Sequence, residues 1–168
     1  ATAEEVAREV GSSDIAYVQV EAVLAQCDLF LNEGAALQEK TQKAQKSWAQ
    51  KEQNLQAEAA QLQEKYQKGL ITTNDAQAQQ QSIEKRVASY QSSAQKEAQA
   101  LDEENYVFTN RAQDLLHRAV QEINGDKKYK LIINATALID ADSTLNITPA
   151  VLAKVNELYA ADKKAVKK

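Results

Sequence analysis

The eight residues Lys68-Gly69-Leu70-Ile71-Thr72-Thr73-Asn74-Asp75 separate two long segments that have helical periodicity. Gly69 suits the position just beyond the C-terminus of a helix, where the backbone often turns left-handed. Thr72 or Thr73 can cap the N-terminus of the following helix, and Asp75 then places a negative charge in its first turn. We therefore predict that this stretch is the tip of an antiparallel helical hairpin.

Heptad repeats run through the segments on either side of this tip. Residues 35–68 contain neither Pro nor Gly, and Trp48, Leu55 and Leu62 recur there every seven residues. A second stripe with the same spacing lies between about residue 75 and residue 124, and it consists of Val87, Ala94, Leu101, Phe108 and Leu115. This spacing is typical of helices that pack along a narrow seam. At about 1.5 Å per residue, legs of ~35 residues would reach on the order of 50 Å.

Short apolar segments outside the hairpin predict a small body. Residues 14–20 (DIAYVQV) have the composition of a buried strand, and residues 21–31 have helical spacing up to a break or kink at Gly34. A second strand is predicted at residues 129–134 (YKLIIN) and a third at residues 137–140 (ALID).

The predicted fold class is therefore α+β: a three-stranded β/α body with a long antiparallel coiled-coil hairpin inserted between its first and second strands. Residues 1–34 contain a leader, the first strand and a short helix, and residues 35–124 form the hairpin. Residues 125–168 contain the remaining strands, a last helix that starts at Thr148-Pro149, and a Lys-rich tail. The chain contains no Met, and we expect it to be a processed form of a longer precursor.

The body is too small to be secure as a single core, and its strands would leave open edges. Joining the sheets of several copies would solve both problems, so we predict an oligomer. The candidate interface residues are the apolar residues of the predicted strands and their ends: Ile15, Tyr17, Val18, Val20, Ile132, Ile133, Leu138 and Ile139.

No constellation of catalytic or metal-binding residues is visible, so we predict neither an enzyme nor a bound metal or cofactor. His117 is the only His and Cys27 the only Cys, and neither lies in a triad or metal-ligand pattern. Asp140 and Asp142 lack the twelve-residue pattern of a calcium loop and are more typical of a turn. The four Gly residues do not form a phosphate-binding loop.

Charge and hydropathy restrict the possible partners. The net charge of −4 argues against a general nucleic-acid-binding protein, which would carry a basic patch. There is no apolar run of transmembrane length. The Lys-rich tail could contact an anionic membrane surface weakly or could be a solvated terminus.

The order of these segments resembles the Skp/OmpH family of the bacterial periplasm. The most specific pieces are the strand after the hairpin (Leu131-Ile132-Ile133), the acidic turn that follows it, and the start of the last helix, Asn146-Ile147-Thr148. The resemblance covers about residues 14 to 158, and the helical middle matches in architecture only. The well-known members are strongly basic whereas this chain is acidic, so we do not extend lipopolysaccharide binding to it.

The resemblance implies a homotrimer shaped like a jellyfish, in which strands of three subunits share one body. Three helical tentacles then enclose a cavity that holds unfolded outer-membrane proteins without ATP and prevents their aggregation. Scattered weak apolar contacts on three arms would bind many different sequences through avidity. The candidate client-binding residues are Leu55, Leu62, Tyr66, Leu70, Ile71, Ile83, Val87 and Tyr90. The seam members among them are more typical of residues that pack the hairpin itself, whereas Leu70 and Ile71 at the tip could equally contact a client or pack the tip.

A different interpretation is an envelope scaffold or adaptor that binds one defined partner through the hairpin. That function would favour a longer and cleaner apolar stripe on the outer face of the hairpin than this sequence has. Binding to several unrelated unfolded barrel proteins would distinguish the holdase from the adaptor.

Overall fold

The computed structural model describes residue 2 and residues 14–167. Its elements, in chain order, are strand β1 (Ile15–Val18), helix α1 (Val20–Gln26), a π-helical segment (Phe30–Gly34), helix α2 (Ala35–Gln67), helix α3 (Thr73–Ile123), strand β2 (Leu131–Asn134), two 3-10 turns (Ala135–Ala137 and Ser143–Leu145) and helix α4 (Thr148–Val166). The predicted leader, residues 1–12, lies outside the described residues apart from Thr2.

The chain forms two compact units. The body comprises the residues up to 36 and from 106 onward, and the hairpin unit comprises residues 37–105. The sequence boundaries at residues 34 and 124 assigned all of α3 to the hairpin. The last part of α3 belongs to the body because Leu115 and Ala119 are buried in the body core.

The body contains a parallel sheet of two strands, in which Ile15 pairs with Leu131 and Val18 with Asn134. On the other side of β1, a single bridge joins Tyr17 to Asn146. The predicted third strand at residues 137–140 is wrong for this chain. Residues 135–137 instead form a 3-10 turn, in which the Asn134 side chain accepts a hydrogen bond from the Thr136 N–H and so competes with extended pairing.

The core of the body lies under one face of the sheet. Alternation along β1 buries Ala16 and Val18 while Ile15 remains exposed. α4 contributes side chains four residues apart, which is the spacing of one helix face. The buried cluster consists of Ala16, Val18, Val23, Cys27, Leu29, Leu115, Ala119, Tyr129, Ile147, Val151, Val155 and Tyr159.

The helix after β1 breaks at Cys27, whose backbone is extended, and not at the predicted position Gly34. Gly34 ends the π-helical segment and continues directly into α2. Its role is to provide space, because a Cβ there would lie 3.0 Å from Phe108 Cζ and 3.2 Å from the Phe30 ring. The two Phe rings pack with their centroids 6.3 Å apart.

The segment Asn146-Ile147-Thr148 attaches the start of α4 to β1. The Ile147 N–H donates to the Tyr17 carbonyl at 3.0 Å, and the Gln19 N–H donates to the Thr148 hydroxyl at 2.9 Å. Ile147 is fully buried. The N-cap is Ile147, one residue before the predicted Thr148, because the Thr148 hydroxyl contacts the Gln19 N–H and the Asn146 side chain instead.

In the hairpin unit, α2 and α3 run antiparallel. Lys40 pairs with Glu104 at 2.7 Å, and Trp48 Nε1 donates to Glu97 at 2.8 Å. The seam between the helices combines Ala with larger apolar residues, and few of these are fully buried. Among its buried members are Ala44, Leu62, Ile83 and Leu101. The heptad stripes therefore predicted both the pairing and the thinness of the seam.

The tip has the predicted position and chemistry. The Leu70 N–H donates to the Lys65 carbonyl at 2.9 Å and the Gly69 N–H to the Tyr66 carbonyl at 3.1 Å, which is a Schellman motif. Gly69 has a φ of 69°. Thr72 caps α3 by accepting the Asp75 N–H at 3.1 Å, so of the two predicted caps, Thr72 is the one used.

Candidate functional site

The eight candidate client-binding residues lie in the hairpin unit but differ in exposure. Leu62 and Ile83 are buried in the seam, with 6% and 7% of their surfaces exposed. Tyr66 and Leu70 are 49% and 69% exposed. The four remaining candidates are half-buried: Leu55, Ile71, Val87 and Tyr90. Tyr90 is held by its own packing, since its hydroxyl donates to the Trp48 carbonyl at 3.0 Å. Tyr66 and Leu70 are therefore the candidates most available to a partner.

Two shallow grooves lie between α2 and α3 near the tip, and they differ in charge. The smaller one, about 270 Å³, contains Glu58, Lys65 and Arg86. Arg86 forms an ion pair with Glu58, and its hydrogen bond lowers the pKa of the Glu58 carboxyl. In this charged groove Glu58 and Arg86 are therefore bound to each other, and Lys65 is a second cation.

The larger groove has a volume of about 980 Å³ and is lined mainly by Ala and Gln side chains. We call it the amide groove. Tyr66 stands at its edge, and Glu84 is the single charged residue among those that line it. Its floor includes the buried Leu62. This groove was not predicted, because exposed Gln residues do not contribute to apolar periodicity; the available signal was the run Gln77-Ala78-Gln79-Gln80-Gln81.

The candidate interface residues lie in the body and fall into two groups. Val18 belongs to the core, with 2% of its surface exposed, and Val20 and Ile132 pack against that core. On the opposite face of the sheet, Ile15 is exposed and is in register with Leu131, which is also exposed and was not among the predicted interface residues. Of the remaining candidates, Tyr17 and Ile133 are half-buried register partners, Leu138 is half-buried, and Ile139 is fully exposed.

Ile139 is the most exposed large apolar residue among those described, because it follows the 3-10 turn where the predicted third strand does not form. The outer residues of β1 and β2 also form an apolar surface on one face of the sheet. We call this surface the sheet face and define it as Ile15, Tyr17, Leu131 and Ile133.

A second exposed apolar group in the body was not anticipated. Phe30 and Leu31 lie on the π-helical segment, and Tyr106 and Val107 lie on α3; all four are 41% exposed or more. They flank seam positions, so a heptad stripe gives no signal for them.

A network of ion pairs joins α3 to other elements of the body. Arg118 binds Asp162 of α4 at 2.9 Å, and Arg111 binds Glu33 at 2.8 Å. These bonds lower the pKa of both carboxyls, chiefly through the hydrogen bond from each guanidinium. The network is structural, since it connects side chains of neighbouring elements and lines no cavity described in the body.

Within the described residues, no group of three or more His, Cys, Asp or Glu side chains could hold a metal ion. Cys27 is buried in the core, and His117 is exposed on α3. None of the helices described has an apolar stretch long enough for a membrane span.

Comparison with known proteins assigns the family. The sequence model of the family described as outer membrane protein (OmpH-like) matches residues 14–155. The chain belongs to the OmpH-like family. A comparison with curated proteins finds no significant match.

A solved structure shares the fold of this OmpH-like chain. It is the crystal structure of a candidate outer membrane chaperone (OmpH-like) from Caulobacter crescentus, which is 16% identical in sequence and has a TM-score of 0.73. The match covers 88% of this chain and 86% of the Caulobacter protein. The resemblance drawn from the strand after the hairpin and from Asn146-Ile147-Thr148 is thereby confirmed at the level of the family.

Proposed function

We propose that this OmpH-like protein is a periplasmic, ATP-independent holdase chaperone that binds unfolded outer-membrane proteins and prevents their aggregation. The observation that carries the proposal is the hairpin unit of an OmpH-like chain: a thin seam that uses most of its apolar residues, with Tyr66 and Leu70 left exposed near the tip. Such scattered contacts suit a partner without a fixed sequence or fold. The relative from Caulobacter crescentus, a candidate chaperone, supports the same class of function.

The binding mechanism follows from the weakness of each contact. One exposed Tyr or Leu side chain gives an affinity far too low for a stable complex, because full burial of one such side chain yields only about 1.5–3 kcal/mol. Several hairpins acting on one chain raise the effective concentration at each further contact. We therefore propose a homotrimer, with the client held in the cavity between three hairpins. The two open grooves near the tip favour many clients over one.

The trimer would form through the sheet face. Its apolar residues remain exposed or half-exposed within one chain, and β2 has no second partner strand among the described residues. Apolar surface and an open strand edge at one place are features that natural proteins usually cover. Association of three copies there would cover both.

The test is aggregation and binding of several unrelated outer-membrane barrel proteins diluted from urea. We expect the protein to suppress light scattering of each client and to bind each with a submicromolar Kd, with no change when ATP is added. Binding of a single partner, with no effect on the other clients, would support the adaptor instead.

Leu70→Ser tests the contribution of one exposed apolar side chain to client binding. Because Leu70 is exposed, its replacement should affect the fold little. We expect it to weaken client binding severalfold without changing the thermal unfolding temperature. Val166→Ser, at an exposed apolar residue near the end of α4, is the control and should leave binding unchanged.

A further inference from the structure

Small Ala side chains and uncharged Gln amides make up most of the lining of the amide groove. On α3, Thr73, Gln77, Gln80 or Gln81, and Glu84 are spaced three to four residues apart and so lie on one face of the helix. α2 contributes Ala59, Gln63 and Tyr66 at the same spacing. The result is a strip of amide groups above small Ala side chains, with one aromatic ring at its edge.

The amides of this strip are available to a ligand. Gln63, Gln77 and Gln81 are exposed and make no side-chain hydrogen bond within the described part of the chain, while Gln80 donates to Glu84 at 3.1 Å. A Gln side chain carries two N–H donors and a carbonyl acceptor, the same groups as a peptide bond. It can therefore pair with either half of a backbone peptide group, whatever the side chain beside it.

The opposite face of the tip offers a contrast on the same two helices. The charged groove carries the Glu58–Arg86 ion pair and Lys65. An uncharged backbone has no charge partner there and would have to compete with an ion pair already formed. The amide groove has no cation among its lining residues, and its single carboxylate already accepts a hydrogen bond from Gln80.

We propose that the amide groove is a subsite for the backbone of an unfolded polypeptide: an extended segment lies along the groove, and the Gln amides pair with its free N–H and C=O groups. The small Ala side chains let the backbone approach closely, and Tyr66 packs on an apolar side chain of the client. The complementarity is one of hydrogen bonding and absence of charge, which fits an unfolded barrel strand whose peptide groups are unpaired. This inference rests on the proposed holdase function and specifies how the client is held.

The test compares two double variants that differ only in the face they alter. Gln77→Ala with Gln81→Ala removes two amides from the amide groove, and Gln61→Ala with Gln79→Ala removes two from the charged groove. All four residues are exposed, and Ala favours helix at each position, so both variants should unfold at or above the wild-type temperature. The probe is a urea-unfolded outer-membrane barrel protein with a fluorescent label, titrated at fixed salt concentration.

We expect the amide-groove variant to bind the client about tenfold more weakly. This factor corresponds to the loss of two hydrogen bonds to the client backbone, at about 0.7 kcal/mol each. The charged-groove variant should stay within twofold of wild type. Equal affinity of all three proteins for the client, or equal weakening in both variants, would overturn the groove assignment while leaving the holdase function intact. Absence of client binding by the wild-type protein would instead refute the proposed function itself.

Discussion

The left-handed backbone conformation of Gly69 shapes the turn at the hairpin tip. Its φ of 69° is costly for residues with a Cβ, and nothing lies within 4 Å of the position where that Cβ would be placed. Gly69→Ala should therefore lower the stability of the hairpin by about 1 kcal/mol through backbone strain alone. Thermal unfolding and hydrogen exchange at the Leu70 amide would measure this loss of stability. Gly69→Asn is the control, because Asn tolerates this conformation and should cost less.

Thr148 has a structural role in the segment Asn146-Ile147-Thr148. Its hydroxyl accepts the Gln19 N–H at the end of β1, so Thr148→Val would leave that N–H without its partner. We expect a loss of about 1–2 kcal/mol in the free energy of unfolding, measured with urea. Thr148→Ser keeps the hydroxyl and should lose much less; a loss in Thr148→Ser as large as that in Thr148→Val would show that the hydrogen bond to the Gln19 N–H is not the main source of the effect.

Single residues with a local role were predictable and those with a distant partner were not. Gly69 and Thr72 act within a few positions of their own sequence; Gly69 was predicted correctly, and Thr72 was one of two predicted caps. Thr148 was predicted as an N-cap because Thr-Pro has that local meaning, but its hydroxyl binds a residue 129 positions away. No spacing rule in one sequence contains that contact.

At the scale of elements, ion pairs fasten α4 to α3 in a pH-dependent way. The pKa of the Asp162 carboxyl is lowered, chiefly by its hydrogen bond from Arg118. In the unfolded chain this carboxyl returns to a pKa of about 4. Its contribution is therefore fully present above that pH and is lost as the pH falls through the lower folded value, where the unfolded state binds more protons.

Asp162→Asn should remove that contribution, which we put at about 0.5 kcal/mol near pH 7 because both side chains are partly exposed. The urea midpoint of the variant should fall less than that of wild type between pH 6 and pH 3. Glu103→Gln, at a residue without an ion pair within the described chain, is the control and should keep the wild-type slope. An unchanged slope in Asp162→Asn would show that the pair contributes nothing measurable.

The predicted helices agree with the structure where the sequence contains a long periodic pattern. The two hairpin helices extend over many heptads, so their bounds were predicted to within a few residues. The third strand rested on four residues, too few to distinguish a strand from the 3-10 turn that Asn134 stabilises. The amide groove was missed for a related reason: it depends on which Gln residues share a face, and this requires the register of α2 against α3.

At the scale of the whole molecule, the sheet face tests the proposed trimer. Leu131 is exposed beside its register partner Ile15, so Leu131→Asp would place a charge in the proposed interface while leaving the core intact. Light scattering on a sizing column should give three times the 18.5 kDa of one chain for wild type and a smaller mass for the variant. Circular dichroism should show the same helix content in both.

Val166→Asp adds the same charge at an exposed residue at the end of α4, outside the residues of the sheet face, and it should remain trimeric. Affinity for the client should depend on the oligomeric state. A monomeric Leu131→Asp variant keeps every contact of its own hairpin but loses avidity, so its Kd for the client should rise by about 10²-fold or more. A wild-type protein that elutes as a stable monomer would contradict the cage, because one hairpin encloses nothing. A monomeric variant that binds clients as tightly as wild type would show that each hairpin holds its client alone.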